Sequence, residues 1–146
     1  MADRDRTWRA LRTIAALRLD RAQAAHRRTV LVEQDAEREL VAADTALVEA
    51  ADAWQQQVVE RFDPALGAAY ARVLTAQAEA QMAAMETHRA AAQATEGAAE
   101  TMRREQARGE AVARQADAAA RHARRRVDER ILMAIADRAV LKWMQR

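Results

Sequence analysis

The stretch Glu60 to Gly67, ERFDPALG, interrupts a sequence that otherwise favours helix along its length. It holds the only proline of the chain and one of its three glycines. Aspartate is a favoured N-cap, and proline fits the first helical turn because that position needs no N–H donor. Proline also disfavours α conformation at the residue before it. The stretch therefore predicts that one helix ends near Phe62 and that the next begins at Pro64.

The rest of the chain consists mainly of strong helix formers. Alanine fills 40 of the 146 positions, and aromatic residues make up only 3%. A narrow apolar stripe on a lone helix buries little surface, so each helix needs a partner. We predict an all-α fold and a single domain over residues 1–146: helix 1 (about 5–62), a turn (about 61–64) and a longer helix 2 (about 64–144), forming an antiparallel coiled-coil hairpin.

Each predicted helix carries an apolar seam with heptad spacing. The seam of helix 1 comprises Leu19, Ala22, His26, Thr29, Glu33, Ala36, Leu40, Ala43, Leu47, Ala50 and Trp54. The seam of helix 2 comprises Leu74, Ala78, Gln81, Met85, His88, Ala92, Thr95, Ala99, Met102, Gln106, Gly109, Ala113, Ala116, Ala120, Ala123 and Val127. A tight turn pairs residues whose numbers sum to roughly 125, which places Leu40 near Met85 and Trp8 near Ala116 and Ala120.

Helix 2 is predicted to extend past the start of helix 1. Residues beyond about 123 then lack a partner, which leaves ~30 Å of helix at ~1.5 Å per residue. This segment ends in VDERILMAIADRAVLKWMQR (127–146), the most hydrophobic part of the chain. Its apolar line is Val127, Ile131, Ile135 and Ala139. We expect this uncovered segment to meet a partner.

Charge is sorted along the sequence. The net charge of +2 is the sum of +11 on residues 1–28 and 101–146 and −9 on residues 29–100. A hairpin brings the two basic blocks together, which predicts an acidic partner at that end. Nucleic acid is not the expected partner, because aromatic residues do not alternate with the arginines and no nucleic-acid-binding motif is present.

Motifs for chemistry are missing from the sequence. There is no cysteine, the three histidines are far apart, and no phosphate loop, nucleophile elbow or HExxH motif occurs. We therefore predict no catalytic, cofactor-binding or metal-binding residues and no enzymatic activity. No stretch approaches the roughly 20 apolar residues of a membrane span or resembles a signal peptide, so we expect a cytoplasmic protein without direct membrane insertion.

Three features coincide with one family: the N-terminal helix WRALRTIAALRLDRAQ (8–23), the hairpin pattern, and a second helix ending RRRVDERILMAIADRAV (124–140). Together they resemble the FliJ/YscO (SctO) stalk family of flagellar and virulence type III secretion systems. The most specific similarity is an acidic pair followed by a small residue and arginine, seen here in Asp128, Glu129, Ala136, Asp137 and Arg138.

The resemblance implies a stalk similar to the γ subunit of rotary ATP synthases, without a cofactor. The end that holds both termini would enter the pore of the hexameric secretion ATPase, and the stalk would link that ATPase to the cytoplasmic ring of the export gate. Family members are also associated with export chaperones. The residues implied to face the ATPase are Arg4, Arg6, Arg9, Arg12, Arg124, Arg125, Arg126, Arg130 and Arg138.

The resemblance also implies a gate-facing tip near the turn. The corresponding residues are Leu47, Trp54, Tyr70, Val73 and Leu74. The family's polar-aromatic residues are missing at most of these places, and Trp54, Tyr70 and Val73 equally fit a structural cap on the coil. We expect a monomer at the cytoplasmic face of a secretion apparatus.

Two other interpretations stay open. One is a self-associating structural coiled coil, or an export-chaperone-binding adaptor outside the ATPase, in which seams pair between chains. The other is a basic amphipathic membrane binder that uses residues 127–146. Asp128, Glu129 and Asp137 weaken adsorption to anionic lipid, which favours a protein partner.

Overall fold

The fold consists of two long helices joined near Asp63. The structure is a computed structural model that describes the backbone of residues 2–60 and 63–144 and the side chains of residues 6–59, 63–141, 143 and 144. Over this part of the chain there are two helices and no strand: α1, Ala2–Glu60, and α2, Pro64–Met144. The predicted all-α two-helix fold is confirmed. Helix α1 begins three residues earlier than predicted, and its predicted end at Phe62 lies outside the described residues.

The start of α2 shows the predicted N-cap. Asp63 Oδ1 accepts a hydrogen bond of 2.8 Å from the backbone N–H of Ala65, and the N–H of Gly67 donates to the Asp63 carbonyl at 2.8 Å. Pro64 occupies the first helical position, where its missing N–H has no cost. The aspartate and the proline therefore together set where α2 begins.

The chain divides into two compact units. The terminal unit comprises Met1–Asp20 and Arg104–Arg146, and the central unit comprises Arg21–Arg103. In the central unit, Gln81 Nε2 donates to the Asp44 carboxylate, and the rings of Trp54 and Tyr70 lie 5.8 Å apart at 52°. These pairs sum to 125 and 124, so they confirm the predicted antiparallel register within this unit.

The predicted seam of α1 is confirmed at all of its positions. Every residue from Leu19 to Trp54 that was assigned to the seam is half-buried or buried, and Ala22 and Ala36 are only 8% and 4% exposed. The polar residues of the seam, His26, Thr29 and Glu33, are half-buried as well. His26 is half-buried, and its Nδ1 is shielded from solvent without a hydrogen-bond partner among the described residues.

The predicted seam of α2 is wrong at three of its sixteen positions, and the other thirteen are half-buried or buried. Met85, Gln106 and Ala120 are exposed, and the residue before each of them is half-buried instead: Ala84, Glu105 and Ala119. The inward face also includes residues one position before the predicted seam, namely Gln77, Ala91, Ala98 and Val112. Where two alanines are adjacent in the sequence, an apolar pattern cannot tell which of them faces the partner helix. In the folded protein, the residues on the inward face are those that let the two helices approach closely. Leu40 is half-buried as expected, but its predicted neighbour Met85 is not in the seam.

Candidate functional site

The terminal unit carries the excess of positive charge. Its residues include 16 basic and 9 acidic side chains, a net charge of +7. The central unit has 8 basic and 13 acidic side chains, a net charge of −5. A surface that recognises an acidic partner is therefore expected on the terminal unit.

A groove with a cavity volume of about 960 Å³ lies on the terminal unit. Its walls include Trp8 of α1, which is half-buried, and Met133 of α2, which is exposed. Its floor is formed by alanines of α2: Ala116, Ala119, Ala120 and Ala123. Trp8 thus shares a groove with Ala116 and Ala120, the two residues predicted to lie near it. The volume of the groove follows from the composition, because side chains that end at Cβ leave space beside the indole.

Charged side chains form the rim of this groove, hereafter the arginine-rimmed groove. They are Arg9, Arg12, Arg126 and Arg130, together with Asp117 and Glu129. Arg12 Nη2 lies 2.5 Å from Asp117 Oδ1, and Arg130 Nε donates to the Arg126 carbonyl at 3.1 Å. Neither Arg126 nor Arg130 takes part in an ion pair among the described residues. On the α2 side of the rim, Arg126 and Arg130 thus present guanidinium groups that no carboxylate of the described residues neutralises.

Only some of the arginines that the family resemblance implies to face the ATPase line the groove. It brings Arg9 and Arg12 of α1 together with Arg126 and Arg130 of α2. The others with described side chains are exposed but do not line the groove: Arg6, Arg124, Arg125 and Arg138. The side chain of Arg4 lies outside the described residues.

Sequence reasoning missed three groove residues, Asp117, Ala119 and Met133. The register predicted for the hairpin could have indicated Asp117. Arg12 and Asp117 sum to 129, which is only about one helical turn beyond the expected value. Met133 carried no such signal, because the predicted pairing stopped near residue 123.

The C-terminal part of α2 is exposed, as predicted. Val127 is the last half-buried residue, and every later residue whose side chain the structure describes is exposed. The uncovered surface thus starts about one turn later than expected, in line with the Arg12–Asp117 pair, whose numbers sum to 129 and not to the predicted 125. Its large apolar members are Ile131, Leu132, Met133, Ile135, Val140, Leu141, Trp143 and Met144, of which Trp143 is 79% exposed.

The family-like run lies on this exposed surface. Asp128, Glu129, Ala136, Asp137 and Arg138 are all exposed, and of these Glu129 lines the arginine-rimmed groove.

The predicted gate-facing residues lie in the central unit and mostly serve its packing. Trp54 and Tyr70 contact each other, and Leu47 and Leu74 are half-buried. Val73 is 46% exposed. The rings therefore do form a structural contact near the turn, and the gate-facing role stays a prediction.

Neither a metal centre nor a membrane span is seen in the part of the chain that the structure describes. No three histidine or carboxylate side chains there come together in a way that could hold a metal ion. Neither helix, over the same residues, has a stretch that is both long and apolar enough to cross a bilayer.

The fold and the site define an all-α, two-helix protein with a basic groove and an exposed apolar segment. In comparisons with models of protein families, with curated proteins and with solved structures, the chain matches none. The resemblance to the stalk family therefore rests on the amino-acid sequence, chiefly on residues 8–23 and 124–140.

Proposed function

We propose that this chain is the central stalk of a type III secretion or flagellar export system. Its terminal unit docks in the hexameric secretion ATPase, and the chain couples that ATPase to the cytoplasmic ring of the export gate. One observation carries the proposal: the arginine-rimmed groove joins basic residues of both helices, Arg9 and Arg12 with Arg126 and Arg130. Such a cluster supports docking against an acidic pore, because complementary charge steers and orients association.

The stalk would act by asymmetric contact. A single chain inside a sixfold ring touches only some subunits at a time, so it favours closure of those subunits and promotes assembly and turnover of the ring. The central unit has the opposite net charge, −5, and supports a second, different partner such as the gate ring or an export chaperone.

Stimulation of the purified secretion ATPase from the same system tests this function. The wild-type chain should raise the turnover of the ring, and reversal to glutamate of Arg4, Arg9, Arg125 and Arg126 should abolish the effect. A matched control reverses four exposed arginines of the central unit, Arg27, Arg28, Arg72 and Arg89, and should retain stimulation. Equal stimulation by both variants and the wild type would overturn docking through the basic terminal unit.

A self-associating coiled coil is the alternative function, and the exposed apolar residues after Val127 favour it. Light scattering separates the two. A mass near the 16.3 kDa of one chain supports the stalk, whereas an obligate dimer or tetramer supports self-association.

A further inference from the structure

We propose that the arginine-rimmed groove binds one amphipathic, acidic α-helix of a partner protein. The proposal rests on the proposed function only in taking the terminal unit as the docking surface. It adds which part of that surface is used and the chemistry of the partner element.

The shape of the groove fits a helix. From Ala116 to Met133 the groove follows α2 for ~26 Å, at ~1.5 Å per residue, which is the length of about 18 helical residues. Ala116, Ala119 and Ala123 succeed one another at steps of three and four residues, the spacing that forms holes for the side chains of a neighbouring helix. Large apolar side chains of an incoming helix would fill the space beside Trp8.

The charge of the rim selects an acidic helix. Arg12 already pairs with Asp117, whereas Arg126 and Arg130 form no ion pair among the described residues. Guanidinium groups bind carboxylates through two parallel hydrogen bonds, so glutamates or aspartates flanking the apolar face would meet these arginines. A second copy of this chain is a poor occupant, because each terminal unit carries +7 and the two would repel.

The apolar walls argue for protein over nucleic acid or lipid. A phosphate backbone would pair with the arginines but would leave the surfaces of Trp8 and Met133 without apolar contact. An anionic bilayer would meet the apolar groups but would also be repelled by Glu129 at the rim and by Asp128 and Asp137, which are exposed on the same helix. An acidic amphipathic helix satisfies both the apolar walls and the basic rim.

Selection from a displayed library of random peptides of about 18 residues, the length of the groove, tests the chemistry of the partner. The immobilised full chain is the bait. We expect enriched peptides to carry excess glutamate or aspartate and apolar residues at three- and four-residue steps. Failure to enrich any peptide, or enrichment of basic peptides or of peptides without this periodicity, would overturn the proposal.

Two variants test whether such a peptide occupies the groove. Ala120 is exposed and lines the groove, so Ala120→Phe narrows it without disturbing a buried site; Arg126→Glu reverses the rim charge. Each should weaken binding of the labelled peptide about tenfold or more, as expected for a central interface residue. The matched controls are Ala107→Phe and Arg121→Glu, exposed residues of the same helix that do not line the groove. Equal loss in variants and controls would place the peptide elsewhere and overturn the proposal.

Further measurements separate this inference from the proposed function and from other ligands. If the ATPase ring is stimulated equally by the wild type and by Ala120→Phe, the groove assignment fails while the stalk function stands. If the ring does not respond but the peptide binds and is lost in Ala120→Phe, the function fails and the groove assignment stands. Binding of a DNA duplex or of phosphatidylglycerol vesicles that Ala120→Phe abolishes, without any peptide bound, would overturn the choice of a protein helix.

Discussion

Arg12 and Asp117, which are 105 residues apart in the sequence, form an ion pair across the two helices of the terminal unit. Both side chains are about half exposed, at 49% and 60%, so solvent screens the pair. The pair therefore contributes little to the stability of the fold, and its main effect is to lower the net positive charge of the groove rim. Asp117 is the one carboxylate of the groove rim that lies within ion-pair distance of an arginine among the described residues.

Removing this carboxylate should therefore change binding more than folding. We expect Asp117→Asn to alter the free energy of unfolding by less than about 1 kcal/mol. The same change leaves Arg12 available and should strengthen binding of an acidic partner. Urea unfolding and titration with the labelled acidic peptide measure the two effects. Asp128→Asn, an exposed change outside the groove, is the control, and a larger gain in binding from it would contradict the prediction.

The N-cap at Asp63 should contribute measurably to stability. Asp63→Ala removes the acceptor for the N–H of Ala65 and should cost about 1 kcal/mol of unfolding free energy. Asp63→Asn keeps an acceptor oxygen and should cost much less. Thermal or urea unfolding followed by circular dichroism measures both. Equal losses in the two variants would show that the cap does not act through this hydrogen bond.

The alanines of the seam should resist enlargement. Ala36 is only 4% exposed, so Ala36→Leu forces extra volume between the helices and should destabilise the protein by about 1–3 kcal/mol. Ala42 is exposed on the same helix, and Ala42→Leu should have little effect. Unfolding of the two variants in urea compares them directly. A neutral Ala36→Leu would mean that the helices can move apart at no cost.

Two glycines inside α2 offer stabilising substitutions. A Cβ added at Gly97 or Gly109 meets no atom within 4 Å, and neither backbone has a positive φ. Alanine should therefore gain about 1 kcal/mol at each position, by its higher helix propensity. The double variant should show an additive rise in the urea midpoint. No gain at Gly109, which is half-buried, would indicate that the helices pack more closely there than the space around it implies.

His26 should lower the stability of the central unit. Because its shielded Nδ1 has no hydrogen-bond partner among the described residues, His26→Leu removes an unsatisfied polar atom and adds apolar burial. We expect a gain of about 1 kcal/mol or more. His122→Leu is the control, since His122 is exposed and should give no such gain. A loss of stability in His26→Leu would show that the ring has a partner outside the described chain.

The sequence predicted the helices and one seam well because their signals are strong. Asp63 and Pro64 act locally, so the start of α2 needed no knowledge of tertiary contacts. On α1, the heptad spacing of Leu40, Leu47 and Trp54 marks the inward face, and the structure has these three residues half-buried. Leu31 and Val32, which lie outside that spacing, are exposed.

The seam of α2 and the composition of the groove were harder to predict. Met85 attracted the seam prediction because methionine is usually buried, yet Ala84 is the residue that faces inward. Glu105 also lies inward, with a side chain only 14% exposed and paired with Arg108, which no apolar pattern indicates. The division of Arg125 from Arg126 depends on helix rotation, which neighbouring arginines do not reveal.

The uncovered apolar side chains after Val127 also bear on the fate of the protein in the cell. Exposed surfaces of this kind promote aggregation and attract quality-control proteases and chaperones. A copy that has found its partner would shield them, whereas an orphan copy would not. We therefore expect the lifetime of the protein to depend on the supply of its partner, so that excess copies are degraded and the two components stay in proportion.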